Sequence, residues 1–274
     1  MPIGLDHIVA STRARLAQSP LNTRELERRA AAHQPRGFGA ALRRASAERI
    51  AVIAELKKAS PSRGQIRADF PVADLAHQLE VGGAAALSVL TDEDFFQGSM
   101  ENLAMASHSV ELPCLRKDFM VEEAQLLEAR AGGADAILLI VAALNDEELK
   151  RLHRRALELE LDVLCEVHDE QELTRAIDAG CEIVGVNSRD LRTFHVDLKT
   201  AVRLGELLPK TAVRVAESGI HTGADMRRLR EVGYDAFLIG ESLMKTESPG
   251  KALAQLLAEA GQKPASLASP APGV

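Results

Sequence analysis

The chain has 274 residues, a length that fits one large barrel or two ordinary domains and leaves room for a sizeable core. Hydrophobic residues make up 46%, yet there are only seven Phe, one Tyr and no Trp, so the core must be built from Ala, Leu, Val and Ile, as in many α/β proteins. A net charge of -7 and a pI near 5.7 argue against a nucleic-acid polyanion as partner, while small anions stay open because local cations decide their binding.

Residues 1 to 48 read as helices: Ser19-Pro20 and Asn22/Thr23 are start signals, followed by good helix formers. Glu25 and Glu27 among the arginines indicate a solvated helix face and disfavour a transit peptide. The amino terminus has no apolar signal-peptide core, and no apolar run approaches the roughly 20 residues of a membrane span. A soluble protein with no membrane contact is expected.

From Ile50 onward, apolar strand-like runs alternate with helical stretches. The runs are Ile50 to Ala54, Ala85 to Leu90, Pro113 to Leu115, Ala136 to Val141, Asp162 to Cys165, Glu182 to Val186, Ala212 to Ala216 and Ala236 to Ile239. Helix candidates between them include Val72 to Val81, Glu122 to Ala131, Asp146 to Glu160, Glu170 to Ala179, Leu198 to Leu207, Thr222 to Val232 and Pro249 to Ala260. This alternation implies βαβ units and a parallel sheet. Gly83, Gly133, Gly180 and Gly233 each end a helix and lead into a strand, at intervals of roughly 50 residues. Each of the three intervals holds two βα units, and four such pairs give the strand count of a (β/α)8 TIM barrel covering 49–260. An open doubly wound sheet would normally carry a Gly-rich fingerprint after its first strand, and Glu55 to Gly64 does not match it. Gly261 to Val274 is Pro/Ala/Ser-rich without periodicity and reads as a disordered tail.

Cys114, Cys165 and Cys181 are odd in number, lie in apolar runs and lack metal-type spacing, so reduced core thiols and a cytoplasmic setting are expected. The eight His include no H-x-x-x-H pair; Glu166 and His168 are the nearest approach to a ligand cluster, and no metal is expected.

Barrel chemistry sits at the carboxyl ends of the strands. There the sequence offers Glu55 and Lys57, Lys117, Glu166, Asn187 and Arg189, Glu217 and Ser218, and Gly240. Glu55 and Lys57 share a side by the i, i+2 rule, ahead of a Ser60-Pro61-Ser62-Arg63-Gly64 loop. The small residues of Ser218-Gly219 and Gly240-Glu241 let backbone N–H groups approach an anion, at the usual phosphate site of this fold. Lys117 is open as a general acid, an anion clamp or a Schiff-base nucleophile, and Arg189 suits a substrate carboxylate or a pairing with Asp190. Phe95, Phe96 and Phe119 crowd the presumed mouth and suggest an aromatic ligand.

The runs E-L-K-K-A-S-P-S-R-G (55–64), S-V-L-T-D-x-x-F-F-Q-G-S (88–99), L-R-K-D-F (115–119), E-V-H (166–168), G-V-N-S-R-D-L (185–191), A-E-S-G-I (216–220) and L-I-G-E-S-L-M (238–244) together resemble the indole-3-glycerol phosphate synthase family of tryptophan biosynthesis. The resemblance implies an amino-terminal helical extension, 1–48, packed over the barrel mouth. It implies a small phosphosugar substrate carrying an anthranilate ring, closed to an indole with loss of carbon dioxide and water, without cofactor. Lys117 would be the general acid on the ketose oxygen, Glu166 its acid/base partner and Glu55 a further catalytic carboxylate, with Lys57, Asn187 and Ser218 completing the catalytic set. Ser218, Gly219, Gly240 and the backbone N–H of Glu241 would meet the phosphate, near Lys57. Asn187, Ser60, Arg189 and Glu217 would orient the substrate, and Phe96 and Phe119 would pack its ring. Another phosphosugar barrel, such as an isomerase or a Schiff-base aldolase, and a non-catalytic phosphoribosyl-ligand binder are the rivals. A monomer is expected.

Overall fold

Each strand-like run is apolar along its length and so needs a neighbour on both edges and cover on both faces. The computed structural model, which describes residues 4–19, 21–190 and 193–261, meets that need by closing the sheet. Strands β1 (Ala51–Leu56), β2 (Ala86–Leu90), β3 (Cys114–Lys117), β4 (Ala136–Ile140), β5 (Asp162–Val167), β6 (Ile183–Asn187), β7 (Val213–Glu217) and β8 (Ala236–Ile239) pair in parallel in sequence order. β8 returns to β1, with Ala51 opposite Ala236 and Ala54 opposite Ile239. This is the (β/α)8 barrel expected from the sequence.

Three helices precede it: α1 (Leu5–Gln18), α2 (Thr23–Ala30) and α3 (Phe38–Glu48). The outer ring is α4 (Val72–Val81), α5 (Met100–Ser109), α6 (Glu123–Ala131), α7 (Asp146–Glu158), α8 (Glu170–Asp178), α9 (Leu198–Gly205), α10 (Gly223–Val232) and α11 (Pro249–Glu259). Their starts follow the capping chemistry. Asn145 and Glu148 form a reciprocal box on α7, Thr222 and Asp225 do so on α10, and Asn22 accepts from Glu25 N on α2. Gly83, Gly133, Gly180 and Gly233 all have left-handed backbone, φ 84–111°, which ends the preceding helix where a Cβ would be strained.

Several sequence expectations need correction. The strands β1, β3, β5, β6 and β7 run one or two residues further than the apolar runs, so Glu55, Lys117, Glu166, Asn187 and Glu217 are strand residues and not loop residues. Their backbones are still paired, as in Glu55 opposite Ser88 and Asn187 opposite Glu217, while their side chains turn inward to a polar top layer. The second correction is α5, which was not among the helix candidates. Ser99 caps it by accepting from Asn102 N, but its Met-Glu-Asn-Leu-Ala-Met-Ala-Ser-His-Ser composition has little apolar periodicity.

Cysteine pairing is the third. Cys114 is free and buried, but Cys165 and Cys181 form a disulfide with Cα atoms 6.3 Å apart. When α8 folds back along the sheet, it returns Cys181, in the turn before β6, to the outward face of β5; a linear reading of spacing does not capture that. Of the predicted tail, only Gly261 lies within the described residues.

The barrel interior is packed below and open above. Ile53, Leu115, Leu138, Leu164, Val213 and Leu238 form one cluster with Phe38 and Leu42 of α3. Gly39 N of α3 donates to Asp162 Oδ2 at the start of β5 (2.9 Å), so α3 seals the amino-terminal end. The adjoining Arg36 guanidinium reaches Asp135, which is fully buried, at 2.6 Å. α2 packs on α6 through Leu26, Ala30 and Leu127. The extension expected over the mouth is therefore divided: only α1 lies there, through Leu5 and Ile8, while α3 plugs the opposite end and α2 packs on the flank. Among the described residues no helix is long and apolar enough to cross a membrane.

Candidate active site at the barrel mouth

The inward alternation of each strand sends its last side chains into one cavity of about 280 Å³ at the carboxyl-terminal end. Its floor is ionic. Lys117 Nζ on β3 donates to Glu166 Oε2 on β5 at 3.1 Å and to Glu217 Oε2 on β7 at 2.9 Å. Lys57, just after β1, pairs through Nζ with Glu55 Oε1 at 2.5 Å. The three carboxylates are buried, with side chains 2–3% exposed.

Two glycines make room for them. A Cβ on Gly185 of β6 would lie 2.1 Å from Glu217 Oε1, and one on Gly240 would lie 2.5 Å from Glu55 Oε1. A side chain at either position would displace a carboxylate.

Proton affinities in this layer follow from burial and neighbouring charge. Burial alone would depress the Lys117 ammonium, but Glu217, Glu166 and Glu55 outweigh it and raise its pKa. Burial pushes Glu166 up; Lys117 and His168 more than reverse this and hold it well below the usual carboxylate range. Glu217 is pushed up to about 7, by burial and by the charges of Glu166 and Glu55, against the pull of Lys117. One lysine thus stays charged between two unlike carboxylates.

On one wall, Ser218 and Gly219 follow β7 with φ of 64° and 77°. A left-handed serine stores roughly 1–3 kcal/mol of backbone strain, which the surroundings must impose. Gly219 cannot be replaced without cost, since a Cβ there would meet Val196 Cγ1 at 2.7 Å. Gly240 caps the one-turn helix Glu241–Met244 on the same wall. The Glu241 carboxylate turns to Lys245 (2.5 Å) and to Arg63 of the β1 loop (3.1 Å), with Arg189 at 3.8 Å.

The opposite wall is apolar. Phe96 and Phe119 line the cavity with ring centroids 6.2 Å apart. Phe119 is set by a knot below it: Asp118 accepts from Phe119 N, from Thr91 Oγ1 and from the Arg116 guanidinium. Phe95 turns away and meets His7 of α1 edge-on.

Apart from Phe95, the residues anticipated for this site converge on one mouth: Ser60, Asn187 and Arg189 line it together with those described above. Asn187 Oδ1 accepts from Arg189 N at 3.0 Å, holding the loop after β6. The guanidinium of Arg189 also donates to Phe194 O. Leu5 and Ile8 of α1, Arg63 and Gly185 were passed over. The glycine stood inside a quoted motif, but its reason is visible only against Glu217. The sequence pair Glu166 and His168 comes within ion-pair distance, Nε2 to Oε1 at 3.4 Å, with Glu172 on the far side of the ring at 3.0 Å.

Comparison with known proteins places this geometry. The family model for indole-3-glycerol phosphate synthase matches residues 5–256. The chain is 57% identical over 255 residues to the indole-3-glycerol phosphate synthase of Koribacter versatilis (92% of this chain, 98% of that protein). It is 50% identical over 248 residues to that of Acinetobacter baumannii (90% and 91%). Among solved structures, a thiamine phosphate pyrophosphorylase from Pyrococcus furiosus superposes with a TM-score of 0.57 at 18% identity, covering 76% of this chain and 93% of that one, which supports the barrel fold alone. With a family model spanning nearly the whole chain and relatives of this identity, the protein belongs to the indole-3-glycerol phosphate synthase family.

Proposed function

We propose that this mouth closes 1-(2-carboxyphenylamino)-1-deoxyribulose 5-phosphate to indole-3-glycerol phosphate, releasing carbon dioxide and water, as a carbon–carbon lyase of tryptophan biosynthesis. The observation that carries this is Lys117, held as an ammonium between Glu166 and Glu217 on the floor of a cavity with a phosphate-type wall and an aromatic wall.

Binding at both ends supplies orientation. Ser218, Gly219, Gly240 and the Glu241 N–H take the phosphate with Lys57, while Phe96 and Phe119 hold the ring. Ser60, Asn187, Arg189 and Glu217 set the chain between them, with Arg189 near the substrate carboxylate. Lys117 gives a proton to the ketose oxygen as the carboxylate-bearing ring carbon attacks the carbonyl carbon. The carboxylate leaves as carbon dioxide, its bonding pair restoring the amine. The new hydroxyl takes a second proton and departs as water, and a carboxylate removes one proton from the neighbouring carbon to complete the indole. Glu166, with Glu55 beside the site, serves these later transfers.

A Schiff-base aldolase would need Lys117 as a neutral amine, which its three carboxylate neighbours oppose. The same proposal divides the chain into a helical extension (1–48), a catalytic barrel (49–260) and a tail (261–274), acting as a cytoplasmic monomer.

Purified protein is expected to form indole-glycerol phosphate, followed by indole fluorescence with EDTA present; absence of product overturns the assignment. Lys117→Ala should lower kcat by about 10²–10⁴-fold, the range for a lost general acid. Unchanged turnover, or borohydride trapping of Lys117 with a keto-sugar, removes it from that role.

A further inference from the structure

We propose that His168 is a positioning residue for Glu166, an imidazolium clamped between Glu172 and Glu166 that fixes the reacting carboxylate from behind while Lys117 faces it from the site. This rests on the role given to Glu166 above.

The clamp is built from consecutive elements. His168 follows β5 two residues after Glu166, and Glu172 lies in the first turn of α8. Glu172 is itself held: its N–H donates to the cap Asp169 Oδ1 at 2.9 Å. Its Oε2 accepts both the backbone N–H of His168 (2.8 Å) and the ring Nδ1–H (3.0 Å). With Nδ1 committed as a donor, Nε2 is buried without a hydrogen-bond partner among the described residues and lies 3.4 Å from Glu166 Oε1, so the contact is an ion pair. The other oxygen, Oε2, faces Lys117, which continues to Glu217. Five alternating charges, Glu172, His168, Glu166, Lys117 and Glu217, thus run from the barrel rim to its centre.

His168 and Glu172 have side chains only 14% and 15% exposed, so the pair is more than a solvated surface contact. The ring is faced by Glu166 from β5 and Glu172 from α8. Arg175, one turn further on α8, is turned away to Asp146 and the carbonyl of Val141. Burial would lower the proton affinity of the ring, but the two carboxylates outweigh it and raise its pKa to about 10.

The functional consequence lies in timing. When Lys117 gives up its proton, Glu166 loses its cationic partner on the site side, and its own proton affinity climbs. A cation that does not take part in the transfer, fixed on the opposite oxygen, limits that climb and keeps the carboxylate aimed. His168 acts through Glu166 and touches no substrate atom.

Histidine-selective 15N NMR on the resting enzyme tests the charge directly, with the His168→Gln spectrum giving the assignment. Both ring nitrogens should stay protonated at pH 8, and Glu172→Gln or Glu166→Gln should each lower the titration by about one pH unit or more. In turnover, His168→Gln should lower kcat about 10–100-fold with KM changed less than about twofold, and move the acid limb of the kcat profile upward. Glu172→Gln, at the rim, should move the limb in the same direction by less. A neutral ring at pH 7 in the wild type, or an unmoved acid limb in both variants, overturns the proposal. The NMR result holds whether or not the expected product forms, so failure of the clamp and failure of the assigned reaction are separate outcomes.

Discussion

Glu217 carries an unusual burden for a single side chain. It accepts from Lys117 through Oε2, while Oε1 is buried above Gly185 with no hydrogen-bond partner among the described residues. Leaving a buried carboxylate oxygen bare costs about 1–3 kcal/mol or more, and protonation is one way to reduce that cost. Its pKa near 7 has a defined consequence for stability. A carboxyl held above its unfolded value stabilises the fold below the unfolded pKa, and that contribution fades as pH rises through about 7. Glu217→Gln is neutral throughout, so the melting temperature of the variant relative to wild type should rise between about pH 5 and pH 8. A flat or falling difference counts against the raised pKa. Gly185→Ala attacks the same carboxylate through its other oxygen. The added methyl must push Glu217 off Lys117, and kcat is expected to fall at least about tenfold with a native circular-dichroism spectrum. If turnover survives, Glu217 has freedom the packing does not suggest.

At the scale of elements, the amino-terminal helices are tied to the barrel by charge as well as by packing. Arg36 places its guanidinium on Asp135 and on the carbonyls of Ser107 and Val110, and its backbone N–H on the same carboxylate at 2.7 Å. Asp135 also takes Cys114 N, so one buried carboxylate joins the α2–α3 connection to β3 and β4. Arg36→Met removes the charge that balances Asp135 and should destabilise the fold by about 3–5 kcal/mol, read as a drop in the urea midpoint. An effect below about 1 kcal/mol would mean that Asp135 is satisfied by its remaining partners. None of this was legible in the chain, because Arg36 and Asp135 stand 99 residues apart with no periodic relation. The barrel was legible, because eight apolar runs, capping signals and four evenly spaced glycines report local physics. So was the mouth, since strand ends are where polar residues break apolar runs. What local patterns miss are relations across strands: the pairing of Lys117 with both Glu166 and Glu217, the room Gly185 leaves, and the partner of Cys165. Each depends on which inward positions come level when the sheet closes.

For the molecule as a whole, a net charge of -7 opposes an anionic substrate, and the mouth meets it with individual cations set among the carboxylates Glu55, Asp118, Glu166, Glu217 and Glu241. Lys57, Lys117, Arg63 and Arg189 all line the one cavity. Attraction of a phosphate and a carboxylate to these cations is screened as the Debye length falls from about 30 Å at 0.01 M salt to about 8 Å at 0.15 M. KM should therefore rise several-fold over that range while kcat stays nearly constant; a salt-independent KM would point to recognition by shape alone.

The plug that α3 makes at the amino-terminal end has a consequence for traffic. With Phe38 and Leu42 filling that end, the barrel is a cup, and entry and exit share one doorway. On the proposed reading, carbon dioxide, the first and smallest product, must slip out past a ring still held against Phe96 and Phe119. The finished indole must leave through that doorway before the next substrate can dock. The enzyme can then handle only one molecule at a time, and the loops around that doorway set the pace at which it empties.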